Sequence, residues 1–330
     1  MRSEKLLPIA FLAVLPALAG VDGTVTNQTT GKPAVATVTL YKLGEAGMES
    51  METVKSAADG KFTITMDLKG PRLIQTAFEG VTYNHMLPPG APSTGVALDV
   101  YNASKQPGGA KVIRHGVLLE PSEKEMVVRE IYFWENNGKT AYNDPDGGTL
   151  KFFLPPGVIG KVEVNATAPQ GMPIRRPADK TSQANVYKVD FPIKPGQSRI
   201  ELTYTLPYTS PATFVGKDLF KGGATQVVVP STVTLKGDVE LLGKEPDTQL
   251  VMYTAKGTEY KVEVEGTGSL RAAVGDVDGE EGGGPGIDQI MPRLYSKMYW
   301  VLGLALSILA LTFAVQFRAS VSTGNVAGKR

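Results

Sequence analysis

Residues 199–208 read RIELTYTLPY, and their side chains alternate between polar and apolar. In an extended strand Ile200, Leu202 and Tyr204 would share one face, because successive side chains point in opposite directions. The same texture recurs in short runs rich in β-branched and aromatic residues, separated by Gly, Pro, Asn and Asp. These further runs are 36–43, 61–68, 126–134, 149–156, 161–168, 225–235 and 259–266. Long amphipathic helical patterns are missing, so the sequence predicts an all-β fold of tandem antiparallel β-sandwiches.

The first 19 residues have the pattern of a secretory signal peptide. A short charged start leads into an apolar run over residues 6–18, which closes on the small-x-small sequence Ala17-Leu18-Ala19. We therefore expect cleavage between Ala19 and Gly20. The alternative, a buried N-terminal strand or helix, fits poorly with the two prolines in this run.

The sequence MYWVLGLALSILALTFAVQF, residues 298–317, is uncharged throughout. A helix of about 20 residues spans about 30 Å, the thickness of the bilayer hydrocarbon core. A buried core helix is the alternative, but such helices usually keep a polar face, which this run lacks. We predict a transmembrane helix over 297–317, a cytoplasmic tail over 318–330 and a flexible stalk rich in glycine and acids over 271–296.

The amino-acid composition indicates where the exported region is located and excludes one class of partner. The chain has no cysteine, so that region has no disulfides, which suits a bacterial envelope. The formal net charge is +1, so no overall basic field would draw the protein to nucleic acid. We expect a single-pass protein of the bacterial cytoplasmic (inner) membrane whose N-terminal domains lie in the periplasm or outside the cell.

The first globular unit, residues 20–87, contains GTVTNQTTGKPAVATVTLYKL (23–43) and then SAADGKFTITM (56–66). Asp59-Gly60 supplies the positive φ of a tight turn, after which Phe62, Ile64 and Met66 would point to one face. The unit resembles the carboxypeptidase regulatory-like domain, a transthyretin-like member of the carbohydrate-binding-like fold superfamily. The resemblance implies a seven-stranded sandwich that is a non-catalytic companion. The zinc-binding His-x-x-Glu of the catalytic domain is absent from this sequence.

A second unit is expected over 95–208. It resembles extracytoplasmic β-domains of bacterial membrane-anchored proteins, a resemblance that implies no known activity. Residues 209–270 supply further strands, which either complete this second sandwich or form a third.

Motifs for chemistry are few. His85 and His115 have no partner at metal-ligand spacing, and both are interpreted as structural or surface histidines. No nucleophile elbow, phosphate loop or dinucleotide fingerprint is present, and we expect no cofactor. Carboxylate pairs of the glycosidase type are set by spatial proximity, so an uncharacterised hydrolase remains a further alternative.

The stretch NDPDGG, residues 143–148, has two interpretations. Asn143, Asp144 and Asp146 are candidate calcium ligands, but an EF-hand loop would reach a Glu at its twelfth position, where this sequence has Pro155. The stretch also lies between two predicted strands and is rich in turn-forming residues. We favour a turn without a metal.

Three aromatic residues, Tyr132, Trp134 and Tyr142, form a candidate patch for glycan binding, since aromatic rings stack on sugar faces. The neighbours Phe133 and Trp134 would point to opposite faces of a strand, so at least one belongs to the core. The sequence therefore favours a non-enzymatic binding or scaffolding protein, an accessory subunit of an envelope complex with a protein partner. A carbohydrate-binding surface protein is the first alternative.

Overall fold

The computed structural model describes residues 20–44, 47–66, 70–220, 222–245 and 250–269. All of these lie within one compact unit of the chain. Their regular structure is entirely β, as predicted, and consists of several sheets in which antiparallel pairing predominates. Among these residues there is no helix with the length and apolar character of a membrane span. The predicted signal peptide, stalk, transmembrane segment and tail lie outside the described residues.

The first lobe, residues 20–100, holds eight strands in two sheets. These are β1 Val21–Asn27, β2 Lys32–Pro33, β3 Thr37–Gly44, β4 Gly47–Lys55, β5 Lys61–Ile64, β6 Arg72–Phe78, β7 Val81–Leu87 and β8 Val96–Val100. One sheet has the order β2-β1-β5 with β8 also paired to β1, and the other has the order β4-β3-β6-β7. Apolar side chains from both sheets form one core, including Val25 and Phe62 from the first sheet and Leu40 and Ile74 from the second.

A glycine turn starts β5. Gly60 has φ +79°, and a Cβ atom at this position would lie 2.5 Å from the carbonyl oxygen of Val25. Phe62 and Ile64 are buried, as predicted. Met66 is not: the strand ends at Ile64, and Met66 is 36% exposed. The predicted apolar face is therefore two residues long, because the strand stops before its third member.

The last strand of the first lobe changes the expected boundary between the two units. Residues 96–100 were predicted to begin the second unit, but β8 pairs in parallel with β1, in register from Gly23 opposite Val96 to Asn27 opposite Val100. The side chains of Val96, Leu98 and Val100 are buried in the first core. A parallel partner from a distant part of the chain leaves no local signal, so the sequence could not reveal it.

The second lobe, residues 101–269, holds the remaining strands. These are β9 Ala103–Ser104, β10 Ala110–Pro121, β11 Glu125–Asn136, β12 Ala141–Tyr142, β13 Leu150–Phe153, β14 Ile159–Thr167, β15 Ile174–Arg176, β16 Asp179–Lys180, β17 Val186–Val189, β18 Gly196–Pro207, β19 Ala212–Lys217, β20 Thr225–Pro230, β21 Thr234–Gly237, β22 Val239–Glu245, β23 Leu250–Ala255 and β24 Glu259–Glu265. An eight-stranded sheet has the order β15-β14-β18-β11-β10-β20-β23-β22. Two three-stranded sheets, β13-β17-β16 and β19-β24-β21, contribute to the same core, and β9 and β12 form a short pair.

The strands of residues 209–270 share one core with the strands that precede them, and three of them join the same eight-stranded sheet. The strands β20, β22 and β23 extend the eight-stranded sheet, and β19, β21 and β24 form one of the smaller sheets. The predicted run 225–235 is two strands in two different sheets, because the chain turns after Pro230, where the amide of Val233 bonds to the Pro230 carbonyl. Proline has no N–H to continue a ladder.

Alternation decides which side chains enter the second core. Ile200, Leu202 and Tyr204 on β18 are each no more than 1% exposed, as the alternating pattern predicts. Burying each such side chain is worth about 1.5–3 kcal/mol relative to leaving it in water. The neighbouring central strand β11 follows the same alternation over Glu125–Asn136, and its inward positions carry the cluster described next.

Candidate functional site

A polar cluster lies on the inward face of the eight-stranded sheet, inside the second core. His115 on β10 is at its centre and is 2% exposed. Strand β11 contributes Glu130 and Tyr132, and β18 contributes Tyr204. The cluster is completed by Thr225 on β20 and by Asp218, which directly follows β19. Four adjacent strands thus bring together residues that are far apart in the sequence.

Both ring nitrogens of His115 face oxygen atoms. Nε2 lies 3.2 Å from Glu130 Oε2, and Nδ1 lies 3.2 Å from Asp218 Oδ1 and 3.1 Å from Thr225 Oγ1. The Thr225 hydroxyl donates to the other oxygen of Asp218. A neutral ring would direct one nitrogen lone pair at a carboxylate, whereas the imidazolium donates from both nitrogens. The geometry therefore favours the protonated ring.

Glu130 accepts further hydrogen bonds from two buried phenols. The Tyr204 hydroxyl donates to Oε1 over 2.7 Å, and the Tyr132 hydroxyl donates to Oε2 over 2.6 Å. Burial, followed by the nearby charge of Glu130, raises the pKa of both phenols well above the usual value for tyrosine. They therefore remain donors across the ordinary pH range.

Opposing effects act on the pKa of His115. Burial lowers it, but the hydrogen bonds to Asp218 and Glu130, together with their charges, outweigh burial, so the net pKa is raised above its usual value. This direction agrees with the hydrogen-bond geometry.

Aromatic rings close the cluster off from water. The Tyr132 ring stacks on the His115 ring with centroids 4.1 Å apart, and Phe220 meets both rings edge-on. Glu130 is 5% exposed, and Tyr204 is 1% exposed. In this arrangement a solute in water has no access to the imidazole, so the cluster can stabilise the sheet but does not form an open site.

The aromatic residues considered as a glycan-binding candidate lie in the core. Tyr132, Trp134 and Tyr142 are 2%, 6% and 8% exposed and belong to the second core. Trp134 and Tyr142 lie side by side, with ring centroids 6.3 Å apart, in the wall of a cleft of about 430 Å³. Exposures this small leave too little ring surface for a sugar to stack on. Phe133 points to the other face of the sheet, as predicted, where the Arg114 guanidinium lies 4.1 Å from its ring centroid.

The NDPDGG stretch adopts a turn in which the first carboxylate caps the chain. Asp144 Oδ1 accepts a hydrogen bond from the Gly147 amide over 2.9 Å, and the Asp144 carbonyl accepts one from Gly148 over 2.8 Å. Asp146 pairs with Lys105 at 2.6 Å on the surface, and that contact lowers its pKa. The backbone amide of Asn143 donates a hydrogen bond to the Ser104 carbonyl.

The two carboxylates of this turn are therefore engaged by protein groups. Across the described part of the chain, no three His, Asp or Glu side chains are grouped as metal ligands would be.

A second candidate site lies between the two lobes, and we refer to it as the inter-lobe cleft. It consists of two neighbouring recesses of about 280 and 420 Å³ that share Asn84 of the first lobe and Lys194 of the second. The smaller recess is lined by Tyr83, Tyr101 and His85 among others, and the larger by Met48, Met172 and Ile174 among others. His85, interpreted from the sequence as structural or surface, is half-buried here.

Sequence reasoning missed Glu130, Asp218 and Lys194. For Glu130 a signal was present: on β11 it occupies the inward register of Met126, Val128, Tyr132 and Trp134, so an acid stands at an apolar position. An acid in the apolar register of a central strand predicts a buried partner. Asp218 and Lys194 lie between strands, and only the tertiary structure brings them to their sites.

Comparisons with known proteins give little. No protein-family model matches the sequence. No curated protein matches it. Among solved structures, the M1 zinc metallopeptidase from Deinococcus radiodurans matches with 13% identity and a TM-score of 0.26, over 47% of this chain and 42% of that chain. A two-domain M1 zinc metallopeptidase bound to L-tryptophan matches with 13% identity and a TM-score of 0.26, over 48% and 43%. The chain thus spans less than half the length of these structures, and likeness at this level identifies neither a family nor an activity.

Proposed function

We propose that this chain is a non-enzymatic binding or scaffolding protein whose two lobes stand outside the bacterial cytoplasmic membrane, as an accessory subunit of an envelope complex. The signal-peptide pattern before Gly20 and the uncharged run 298–317 support this topology. The first lobe is proposed to be a carboxypeptidase regulatory-like domain, a non-catalytic companion. Its two-sheet architecture and the glycine turn at Gly60 support that assignment.

The observation that carries the binding role is the collection of exposed apolar side chains around the inter-lobe cleft. Met48, Met172 and Ile174 are 55%, 66% and 48% exposed, and all three line the larger recess. Large apolar side chains gathered on one exposed surface are typical of interaction sites. Methionine suits such a surface, because its flexible thioether adapts to the shape of a partner.

The burial of the histidine cluster supports a non-enzymatic function. A general acid or base must come within hydrogen-bonding reach of its substrate, and His115 and Glu130 have no such access in this arrangement.

Photo-crosslinking in cells would test the proposal. A photoreactive amino acid replaces Met172 in one variant and Leu241 in another. Leu241 is a matched control, because it is an apolar residue that is 57% exposed and lies on β22, at the opposite end of the eight-stranded sheet from β15. We expect a discrete adduct with an envelope protein at position 172 and none at 241. Absence of an adduct at 172, or the same adducts at both positions, would contradict the proposed binding role.

A further inference from the structure

Lys194 occupies an unusual place in the inter-lobe cleft. It lies just before β18 in the second lobe, lines both recesses, and its Nζ stands 5.0 Å from the ring centroid of Tyr83 in the first lobe. The Tyr83 hydroxyl is held in turn, donating to the Tyr101 carbonyl over 3.1 Å and accepting from the Tyr101 amide over 3.2 Å. A cation of the second lobe thus rests on a fixed aromatic ring of the first.

Lys194 has no ion-pair partner among the described carboxylates. The two acids that line the same recesses are engaged elsewhere: Asp190 with Arg176, and Asp99 with the side-chain amide of Gln28. Burial lowers the pKa of Lys194 to about 8, so at pH 7 the amine still carries its charge in most molecules. A half-buried ammonium with only an aromatic ring beside it is incompletely compensated.

The groups around Lys194 indicate which kind of ligand could neutralise its charge. The larger recess places the exposed apolar side chains of Met48, Met172 and Ile174 around the same cleft as this single unpaired amine. Asn84 accepts a hydrogen bond from Gln75, and its own NH2 group has no partner within the described residues. A cation, a free amide donor and flanking apolar side chains together suit an acidic side chain within an apolar stretch of peptide.

We propose that the inter-lobe cleft binds a peptide segment of a partner protein in which a Glu or Asp is flanked by apolar residues, with the carboxylate placed on Lys194. This inference rests on the proposed binding function and names the chemistry that the partner must present. A sugar is the poorer fit, because the Tyr83 face on which it would stack is already taken by the Lys194 amine.

Methyl NMR on the purified full chain would test the site. The probe is acetyl-Leu-Leu-Glu-Leu-amide, titrated into protein labelled with ¹³C at the methionine methyl groups. We expect saturable shifts of the Met48 and Met172 signals and none of Met126, which is 2% exposed in the second core. Replacing Glu by Gln in the peptide should weaken binding about tenfold, the usual effect of losing a charge-assisted hydrogen bond.

Variants of Lys194 complete the test. The Lys194→Met protein should bind the Glu peptide only as tightly as the wild type binds the Gln peptide. The Lys194→Arg protein should retain most of the affinity for the Glu peptide. Lys180→Met, at an exposed lysine of the same lobe, is the control and should leave the affinity unchanged. No shift at Met48 and Met172, equal affinity for the two peptides, or unchanged affinity in a folded Lys194→Met protein would each overturn the proposal.

The two proposals fail separately. If the peptide binds at Lys194 but cross-linking at position 172 gives no adduct, the site stands and the proposed function fails. If the adduct forms equally well in Lys194→Met, the binding function stands and the site proposed at Lys194 fails.

Discussion

Glu130 is the residue on which the buried polar cluster of the eight-stranded sheet converges. Its carboxylate accepts hydrogen bonds from Tyr132 and Tyr204 and faces the ring of His115, so three side chains from three strands converge on it. A buried charge is tolerated only when it is paired and fully hydrogen-bonded, and removing one partner leaves the others uncompensated. We infer that the cluster helps to specify the register of these strands as well as contributing to stability.

Glu130→Gln should lower the free energy of unfolding by about 2–4 kcal/mol, because it leaves a buried imidazolium with one fewer counter-charge. Urea denaturation followed by tryptophan fluorescence would measure the loss. The matched control is Glu201→Gln: Glu201 is on β18 of the same sheet, faces outward and pairs with Arg129 at 3.4 Å. That change should cost no more than about 1 kcal/mol. Equal losses in the two variants would contradict the role given to Glu130.

The raised pKa of His115 predicts a specific dependence of stability on pH. A group whose pKa is higher in the folded than in the unfolded state binds its proton more tightly when folded. Its contribution is complete below the unfolded value, about 6.5, and is lost as the pH rises through the higher folded value. The urea midpoint should therefore fall as the pH rises from about 6.5 towards 8; above that range the lowered pKa of Lys194 acts in the opposite direction.

His115→Phe, measured over the same pH range, isolates this contribution. The variant is expected to be less stable overall, but the part of the pH dependence that starts near the unfolded histidine pKa should be gone. A midpoint that is flat, or that rises with pH, in the wild type would show that the folded histidine is not preferentially protonated.

Among the elements, the turn over residues 143–148 is the clearest case of one sequence with two plausible uses. One carboxylate oxygen of Asp144 accepts a hydrogen bond from the Gly147 amide. Gly148 adopts φ +77°, and a Cβ atom at this position would lie 2.7 Å from the Cβ of Lys188. These features reverse the chain between two β segments, which is the use that the flanking strand patterns favoured.

Calcium should leave the melting temperature of this protein unchanged. An ion bound only by the folded state would stabilise it by about 2.7 kcal/mol at a hundredfold excess over Kd, which shifts melting by several degrees. The double variant Asp144→Asn, Asp146→Asn keeps a side-chain oxygen for the Gly147 amide and removes both charges. Differential scanning fluorimetry with and without calcium would show a real site as a rise in the wild type that the double variant loses.

The strands that could be predicted from the sequence are those with two-residue alternation. The runs of β11 and β18 were predicted in this way, and in both strands one face is buried and the other is half-exposed. The short strands β9, β12 and β16 have two residues each and leave no periodicity to detect. The parallel pairing of β8 with β1 is equally invisible, since it depends on contacts across more than seventy residues.

The candidate sites were harder to predict than the strands. For Trp134 and Tyr142 the sequence left both a glycan-binding surface and the core open, because aromatic residues serve the core as readily as they serve recognition, and the facing sheet decides their burial. Lys194 follows Ile193 in what reads as a turn, and nothing local marks it as half-buried. Its environment arises only because the first lobe places Tyr83 against it.

For the whole molecule, the topology is a prediction that fusion proteins would test. A reporter that is active only outside the cytoplasm should be active when it is fused at Pro285 and inactive when it is fused after Arg330, because 298–317 has the length and hydropathy to span. Truncation at Gly284 should release a soluble protein. A truncated chain that still sediments with membranes, or a reporter active at both positions, would contradict a single C-terminal anchor.

The parallel pairing of β1 with β8 has a mechanical consequence. Tension that enters the first lobe at Gly20 and leaves at Tyr101 pulls these two strands in opposite directions along their length, which loads all their shared hydrogen bonds together. Pulling instead from Gln28 and Tyr101, at the same end of both strands, would break the bonds one after another.

Force spectroscopy would compare the two pulling directions. Because the chain has no native cysteine, handles can be attached at Gln28→Cys and Tyr101→Cys without interference, and a tag ahead of Gly20 serves for the other direction. We expect a clearly higher rupture force when the lobe is pulled from Gly20, and equal forces would show that β8 does not clamp the lobe under load.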